Sequence, residues 1–94
     1  MSNSGARRLV NIGFNNYVEA GQVVAVVNPG SAPVKRLRDE ARKSGRLIDA
    51  CQGHRTRAVI VTSSNHVIEA AADIKTLTER YNTAFSRGAP DPRE

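Results

Sequence analysis

The sequence predicts an α+β fold, with a small, mostly antiparallel sheet of four to five strands and two helices. Two observations predict it. Short β-branched apolar runs alternate with turn residues, and two longer segments carry apolar residues at helical spacing. Because 94 residues suffice for one small domain, we expect a flexible N-terminus at residues 1–7, a single domain at residues 8–86 and a disordered tail at residues 87–94.

The first half of the chain contains two apolar runs that are typical of strands. The run from Leu9 to Ile12 is followed by Gly13 and two asparagines, which predict a turn or bulge. Residues 22–27 form a β-branched run that is typical of a buried strand. This strand should end at Asn28-Pro29-Gly30.

Residues 31–44 predict the first helix. Ser31 is a favoured N-cap residue, and Pro33 stands in the first turn, where its missing N–H costs little. Gly45 follows at the position of a left-handed C-cap. The inward-facing stripe of this helix should consist of Val34, Leu37 and Ala41.

The next two apolar runs predict a β-hairpin. They cover residues 46–51 and 57–62, and the short connection between them contains Gly53. A turn at residues 63–65 should then lead into a further strand that begins at His66.

The second predicted helix begins after Asp73, a residue type that caps helices. We expect its apolar face to serve a homo-oligomer as well as the core. The chain has two Tyr, two Phe, no Trp and a single Cys, and small domains without disulfides often gain missing burial from a partner subunit. We expect a ring-forming subunit, because an unclosed head-to-tail contact would polymerise. The apolar face consists of Ile74, Leu77, Tyr81, Ala84 and Phe85, of which Leu77, Tyr81 and Phe85 form a surplus stripe for subunit contact.

The net charge of +5 is concentrated in one part of the chain. Residues 31–57 hold eight basic and three acidic residues, whereas the rest of the chain holds six of each. Segregated positive charge favours a polyanionic partner, and exposed guanidinium groups can bind phosphate bidentately. In the first helix, Arg38 and Arg42 are expected to lack acidic partners. The predicted site combines the hairpin tip with the edge of this helix and consists of His54, Arg55, Arg57, Lys35, Arg36, Arg38 and Arg42.

Double-stranded DNA is the partner that we favour for this site, and two alternatives stay open. One is an acidic protein that binds a basic oligomeric adaptor. The other is RNA, although Phe14 and Tyr17 are the only aromatic residues outside the second helix that could stack on unpaired bases.

The sequence does not predict an enzyme, and we expect neither a cofactor nor a metal. Cys51, His54 and His66 do not form a regular metal-binding pattern, and Cys51 is more typical of a small buried hydrophobe. No phosphate-binding glycine motif is visible. Without a secretory h-region or an apolar run of membrane-spanning length, we expect a cytoplasmic, nucleoid-associated protein.

Four blocks of the sequence are similar, in order and spacing, to the RemA proteins, bacterial extracellular matrix regulators that control biofilm genes. The resemblance covers roughly residues 8–72 and implies a small α/β subunit, ring-like homo-oligomerisation and DNA binding that activates transcription without a helix-turn-helix. The blocks are Asn11-Ile12-Gly13-Phe14, Ser31-Ala32-Pro33-Val34-Lys35-Arg36, Leu47-Ile48-Asp49-Ala50 and Arg55-Thr56-Arg57-Ala58-Val59.

The chain departs from the RemA pattern at two positions. The resemblance implies a DNA-contacting arginine pair that here falls on His54 and Arg55, so an imidazole replaces the first guanidinium. It also implies an arginine just before the second strand, where this chain has Gln22. Both departures remove positive charge from positions that we expect to face DNA, which predicts weaker DNA binding or a different target.

Overall fold

The computed structural model describes residues 8–86, with side chains to residue 84. The segments at residues 1–7 and 87–94, for which we expected a flexible N-terminus and a tail, lie outside the described residues. The α+β class is confirmed, since this part of the chain forms six strands in two mostly antiparallel sheets and two helices. In chain order these are β1 (Leu9–Gly13), β2 (Asn16–Glu19), β3 (Val23–Val27), α1 (Ala32–Lys43), β4 (Leu47–Asp49), β5 (Ala58–Thr62), β6 (Val67–Ala70) and α2 (Ile74–Ser86).

The larger sheet has the strand order β3-β5-β6-β4, and β1 and β2 form a separate two-stranded ribbon. β5 pairs antiparallel with both β3 and β6, whereas β4 pairs parallel with β6. Consequently β3, β6 and β4 run in the same direction. Helix α1 connects β3 to β4, from one edge of this sheet to the other, and the β5–β6 hairpin fills the space between them.

The predicted hairpin of residues 46–51 and 57–62 is wrong, because β6 lies between β4 and β5. The eight-residue connection at residues 50–57 is longer than the two to five residues typical of hairpin loops. β5 instead turns tightly into β6, and the backbone N–H of Thr62 donates to the carbonyl of His66 at 3.0 Å. The basic segment at residues 50–57 is therefore a loop between non-adjacent strands.

The larger sheet is covered on both faces. One face packs against α1, and the other packs against α2 and the β1–β2 ribbon. Because side chains alternate along a strand, neighbouring residues of β5 enter different clusters: Val59 packs on the α1 side and Ile60 on the α2 side. The predicted inward stripe of α1 is confirmed, since Ala41 is buried in the cluster on the α1 side of the sheet and Val34 and Leu37 pack against this cluster.

The predicted helix ends are also confirmed. The hydroxyl of Ser31 accepts a hydrogen bond from the Val34 N–H at 3.4 Å, and Gly45 has a positive φ of 75° after α1. At the start of α2, a carboxylate oxygen of Asp73 accepts from the Thr76 N–H at 2.8 Å. These features depend on nearby residues only, which is why the sequence predicts them well.

Three structural details differ from the prediction. Strand β2 was not predicted, and β3, predicted to be buried, is an edge strand on which the side chain of Val24 is 66% exposed. Leu77 is not part of a surplus stripe, because it is only 2% exposed in the cluster beneath α2. A substitution at Leu77 would therefore damage the core before it tested a subunit contact.

Candidate nucleic-acid interface

The topology brings three loops and two helix starts to one end of the larger sheet, which we call the loop end. β3, β4 and β6 run in the same direction, so the loops at residues 28–31, 50–57 and 71–73 all leave from their carboxyl ends. Helices α1 and α2 begin directly after the first and third of these loops. In open sheets, ligands commonly bind outside the carboxyl ends of parallel strands, and helix N-termini favour negative charge.

A cleft of about 250 Å³ opens at the loop end, and two of the predicted DNA-binding residues line it. Arg55 and Arg57 are both exposed. Within residues 8–86, neither guanidinium group forms a hydrogen bond or an ion pair, so both are available to an external anion. The lining residues come from all three loops: Asn28, Pro29, Arg55, Thr56, Arg57 and Asp73.

Asp73 brings a negative charge to this cleft. Its pKa lies below the ordinary value of 3.8, first because the backbone N–H of Thr76 donates to it, then because of the Thr76 hydroxyl, and further because Arg57 is nearby. The charge of Arg57 is thus partly balanced by Asp73. Arg55 is the more available of the two arginines for a phosphate group.

His54 does not project separately from the loop but stacks on another ring. Its imidazole lies 4.7 Å from the centre of the Phe14 ring, with 24° between the ring planes. Two side-chain hydrogen bonds also join the β1–β2 turn to the 50–57 loop. The Gln52 side-chain amide donates to the Phe14 carbonyl at 3.4 Å, and the Asn16 side-chain amide donates to the Ala50 carbonyl at 3.2 Å.

The prediction that Arg38 and Arg42 lack acidic partners is wrong. Nε of Arg38 donates to Oε2 of the buried Glu69 at 2.7 Å, and Nη2 of Arg42 lies 3.7 Å from the same oxygen. Arg42 also pairs with Asp39, three residues earlier in the helix, at 3.0 Å. The first partner was missed because Glu69 comes from β6, which is distant in sequence but faces α1 in the fold.

The basic residues of α1 do not form one continuous site. Lys35 and Arg36 are exposed in the first five residues of α1, toward the loop end. Arg42 is ten residues beyond the start of the helix, which places it about 15 Å further along the axis. The structure therefore places Lys35 and Arg36 toward the end of the subunit that carries Arg55 and Arg57. It holds Arg38 and Arg42 against Glu69, and Nη1 of Arg38 also donates to the carbonyl of Pro29, beside the cleft, at 3.4 Å.

Gln22, the second departure from the RemA pattern, lies far from this site. It precedes β3, at the opposite end of the sheet, where its backbone carbonyl accepts from the Ser63 N–H at 2.7 Å. The Ser63 hydroxyl also donates to its side-chain oxygen. Ser63 belongs to the β5–β6 turn, which lies at the end of the sheet opposite the loop end. Gln22 and His54 are therefore on opposite ends of one subunit.

Cys51 is buried, as predicted, and its environment disfavours the reactive thiolate. Burial is the main reason that its pKa lies above the ordinary value of 9.0, and the nearby charges of Asp49 and Glu69 add to this effect. Among the described residues, no group of three or more His, Cys, Asp and Glu side chains is placed to hold a metal ion. Neither helix in this part of the chain has the length and apolar character needed to span a bilayer.

The fold and the site together define a small α+β domain with exposed arginines at one end of its sheet. Comparison with known proteins shows that the chain belongs to the RemA-like family, described as extracellular matrix regulatory protein A-like, whose model matches residues 9–81. The resemblance expected over residues 8–72 is therefore confirmed. A family of regulatory proteins gives the chain a regulatory role in general terms.

Individual relatives match most of the chain. A protein named "Putative regulatory protein" from Nitratidesulfovibrio vulgaris is 53% identical over 78 residues, which cover 83% of this chain and 89% of that protein. A protein of the same name from Synechococcus sp. (strain JA-3-3Ab) is 53% identical over 87 residues, 93% of this chain and 97% of its own. Another, from Caldicellulosiruptor saccharolyticus, is 55% identical over 80 residues, 85% of this chain and 79% of its own.

Proposed function

We propose that this protein is a transcriptional regulator that binds duplex DNA through the loop end. The observation that carries the proposal is the pair of exposed guanidinium groups, Arg55 and Arg57, in a cleft that is also lined by the loops preceding both helices. Lys35 and Arg36 add positive charge at the start of α1. As a member of the RemA-like family, the protein would act on DNA in the nucleoid, with extracellular-matrix genes as its targets.

Arg55 and Arg57 would bind the phosphate backbone. Their planar guanidinium groups match phosphate oxygens bidentately, and such contacts fix the orientation of a protein on DNA without reading its sequence. Specificity would then depend on DNA shape, since arginine side chains favour narrow minor grooves. His54 stacks on Phe14 at the position where the family pattern implies an arginine.

The second part of the proposal is a closed homo-oligomeric ring. One subunit offers only a few phosphate contacts, but several copies on one ring could bind the same duplex, with a gain that depends on their effective concentration. Support for association comes from the edge strand β3, where Val24 is exposed. Residues 20–34 contain no charged side chain, so this edge lacks the charges that commonly prevent strand pairing between molecules.

The DNA proposal is tested by fluorescence anisotropy with a labelled duplex. Binding is measured between about 50 and 200 mM salt, a range over which phosphate contacts strongly change affinity. Arg55→Ala should weaken binding to different duplex sequences equally and reduce the salt slope by about one unit for each lost contact in each subunit engaged. The matched control is Lys43→Ala, an exposed cation at the far end of α1, which should bind like the wild type.

Three outcomes would contradict the DNA proposal. The first is lost affinity for Arg55→Ala with an unchanged salt slope, and the second is equal loss for Lys43→Ala. The third is preference for single-stranded RNA or for an acidic peptide over the duplex, which would support one of the alternative partners.

A further inference from the structure

The turn between β1 and β2 places a large aromatic side chain where the backbone disfavours one. Phe14 and Asn15 have φ angles of +54° and +62°, and they connect the paired residues Gly13 and Asn16. Two-residue hairpin turns with positive φ favour Gly, Asn and Asp, whereas a bulky residue in this region is an outlier. Asn15 fits this preference and Phe14 does not.

Packing in the apolar core does not account for the unfavourable residue. The side chain of Phe14 is 45% exposed and belongs to neither of the two apolar clusters. Residues held in sparsely populated backbone conformations cluster at functional sites. The position of Phe14 therefore points to a contact outside the subunit.

The turn lies at the loop end, beside the proposed DNA site. A Cβ atom on Gly13 would be 3.6 Å from the backbone nitrogen of Ala72, in the loop that follows β6. The His54 ring supports one face of Phe14, and His54 directly precedes Arg55. The β1–β2 turn thus presents an exposed apolar ring against His54, and the next residue of the 50–57 loop is the exposed Arg55.

We propose that Phe14 acts as an apolar wedge between base pairs of the duplex that Arg55 binds, so that the protein bends its DNA. The inference rests on the proposed function and specifies the class of DNA that the site prefers. Apolar wedges enter from the minor groove, partly unstack one base step and kink the duplex. Pyrimidine–purine steps such as TA are the most easily unstacked, so a duplex with a central TA step is the favoured ligand.

The test compares Phe14→Asn with Asn15→Gly, a control in the same turn that leaves the ring in place. Because Asn adopts positive φ more readily than Phe, Phe14→Asn should fold with a melting temperature no lower than that of the wild type. Phe14→Gly is the second variant at this position. Two duplexes of equal length and composition, with a central TA or AT step and dyes at both ends, report affinity by titration and bending by energy transfer at saturation.

We expect the wild type and Asn15→Gly to bend the TA duplex and to bind it more tightly than the AT duplex. Phe14→Asn should lose the bend and the TA preference and bind the TA duplex about 10-fold more weakly, in line with the loss of one stacking contact. Its salt slope should not change. Arg55→Ala should show the opposite result, with a smaller salt slope but an unchanged bend at saturation.

The wedge is refuted if Phe14→Asn and Phe14→Gly bend and bind both duplexes like the wild type, or if the wild type binds tightly without bending. Either result would leave the proposed DNA binding intact. If the wild type binds neither duplex at low salt, the proposed function itself fails.

Discussion

Replacing Glu69 with Gln should destabilise the protein more than any surface charge change. Glu69 is 5% exposed, and its carboxylate is shared by Arg38 at 2.7 Å and Arg42 at 3.7 Å. Removing one member of a buried ion pair typically costs about 3–5 kcal/mol. Since the Arg38 side chain remains 22% exposed and that of Arg42 56% exposed, water offsets part of this loss, and we expect about 2–3 kcal/mol.

Thermal and urea unfolding, followed by circular dichroism, measure this loss. For a domain of this size, it corresponds to a decrease of about 10–20 °C in melting temperature. The matched control is Asp39→Asn, which removes the exposed partner of Arg42 and should cost less than about 1 kcal/mol. The double variant Arg38→Met/Glu69→Leu should recover most of the stability, because apolar residues of similar volume often replace buried ion pairs well.

The reasoning is refuted if Glu69→Gln unfolds within about 0.5 kcal/mol of the wild type, the range typical of surface substitutions. It is also refuted if Asp39→Asn is equally destabilising. In the first case the pair of Glu69 with Arg38 contributes little to stability, and in the second the stabilising contact lies within α1.

Three further predictions concern the site, the oligomer and the buried thiol. His54→Arg should tighten duplex binding, because a guanidinium can still stack on the Phe14 ring and adds a full positive charge; unchanged affinity at pH 8 would show that position 54 does not contact DNA. Val24→Asp, on the exposed edge of β3, should leave the subunit folded but reduce the mass of the assembly in sedimentation velocity. An unchanged assembly mass would exclude this edge as the interface. Because the pKa of Cys51 is raised above 9.0, the folded protein holds the thiol proton more tightly than the unfolded chain, so stability should fall as the pH rises through this range; Cys51→Ala should remove this part of the pH dependence in urea unfolding.

Local signals in the sequence predicted the helices better than the sheet. Ser31, Gly45 and Asp73 mark the helix ends through contacts with residues at most a few positions away. Strand pairing depends instead on segments that are distant in sequence. Because β6 pairs with β4, it separates β4 from β5 in the sheet. No local feature of residues 46–62 distinguishes this arrangement from a hairpin.

The partner of Arg38 could have been sought in the sequence, because Glu69 interrupts an otherwise apolar run from Val67 to Ala72. A carboxylate within such a strand requires a cation or several hydrogen-bond donors. What the sequence could not show is which of its many basic residues supplies the cation, because that choice depends on α1 packing on the same face as Glu69.

The same packing changes what the charge of residues 31–57 can do. The 12 residues of α1 span about 18 Å, so the basic residues of this run do not share one surface. Glu69 engages Arg38 and Arg42, and Arg38 also donates to the Pro29 carbonyl. At the loop end of each subunit, Arg55 remains available to bind phosphate, and Arg57, Lys35 and Arg36 add positive charge. Because so few contacts give one subunit only weak affinity for DNA, the proposed site depends on the proposed ring. A folded Val24→Asp monomer with an intact Arg55 should therefore bind duplex DNA much more weakly than the wild type, and full affinity in the monomer would separate the two proposals.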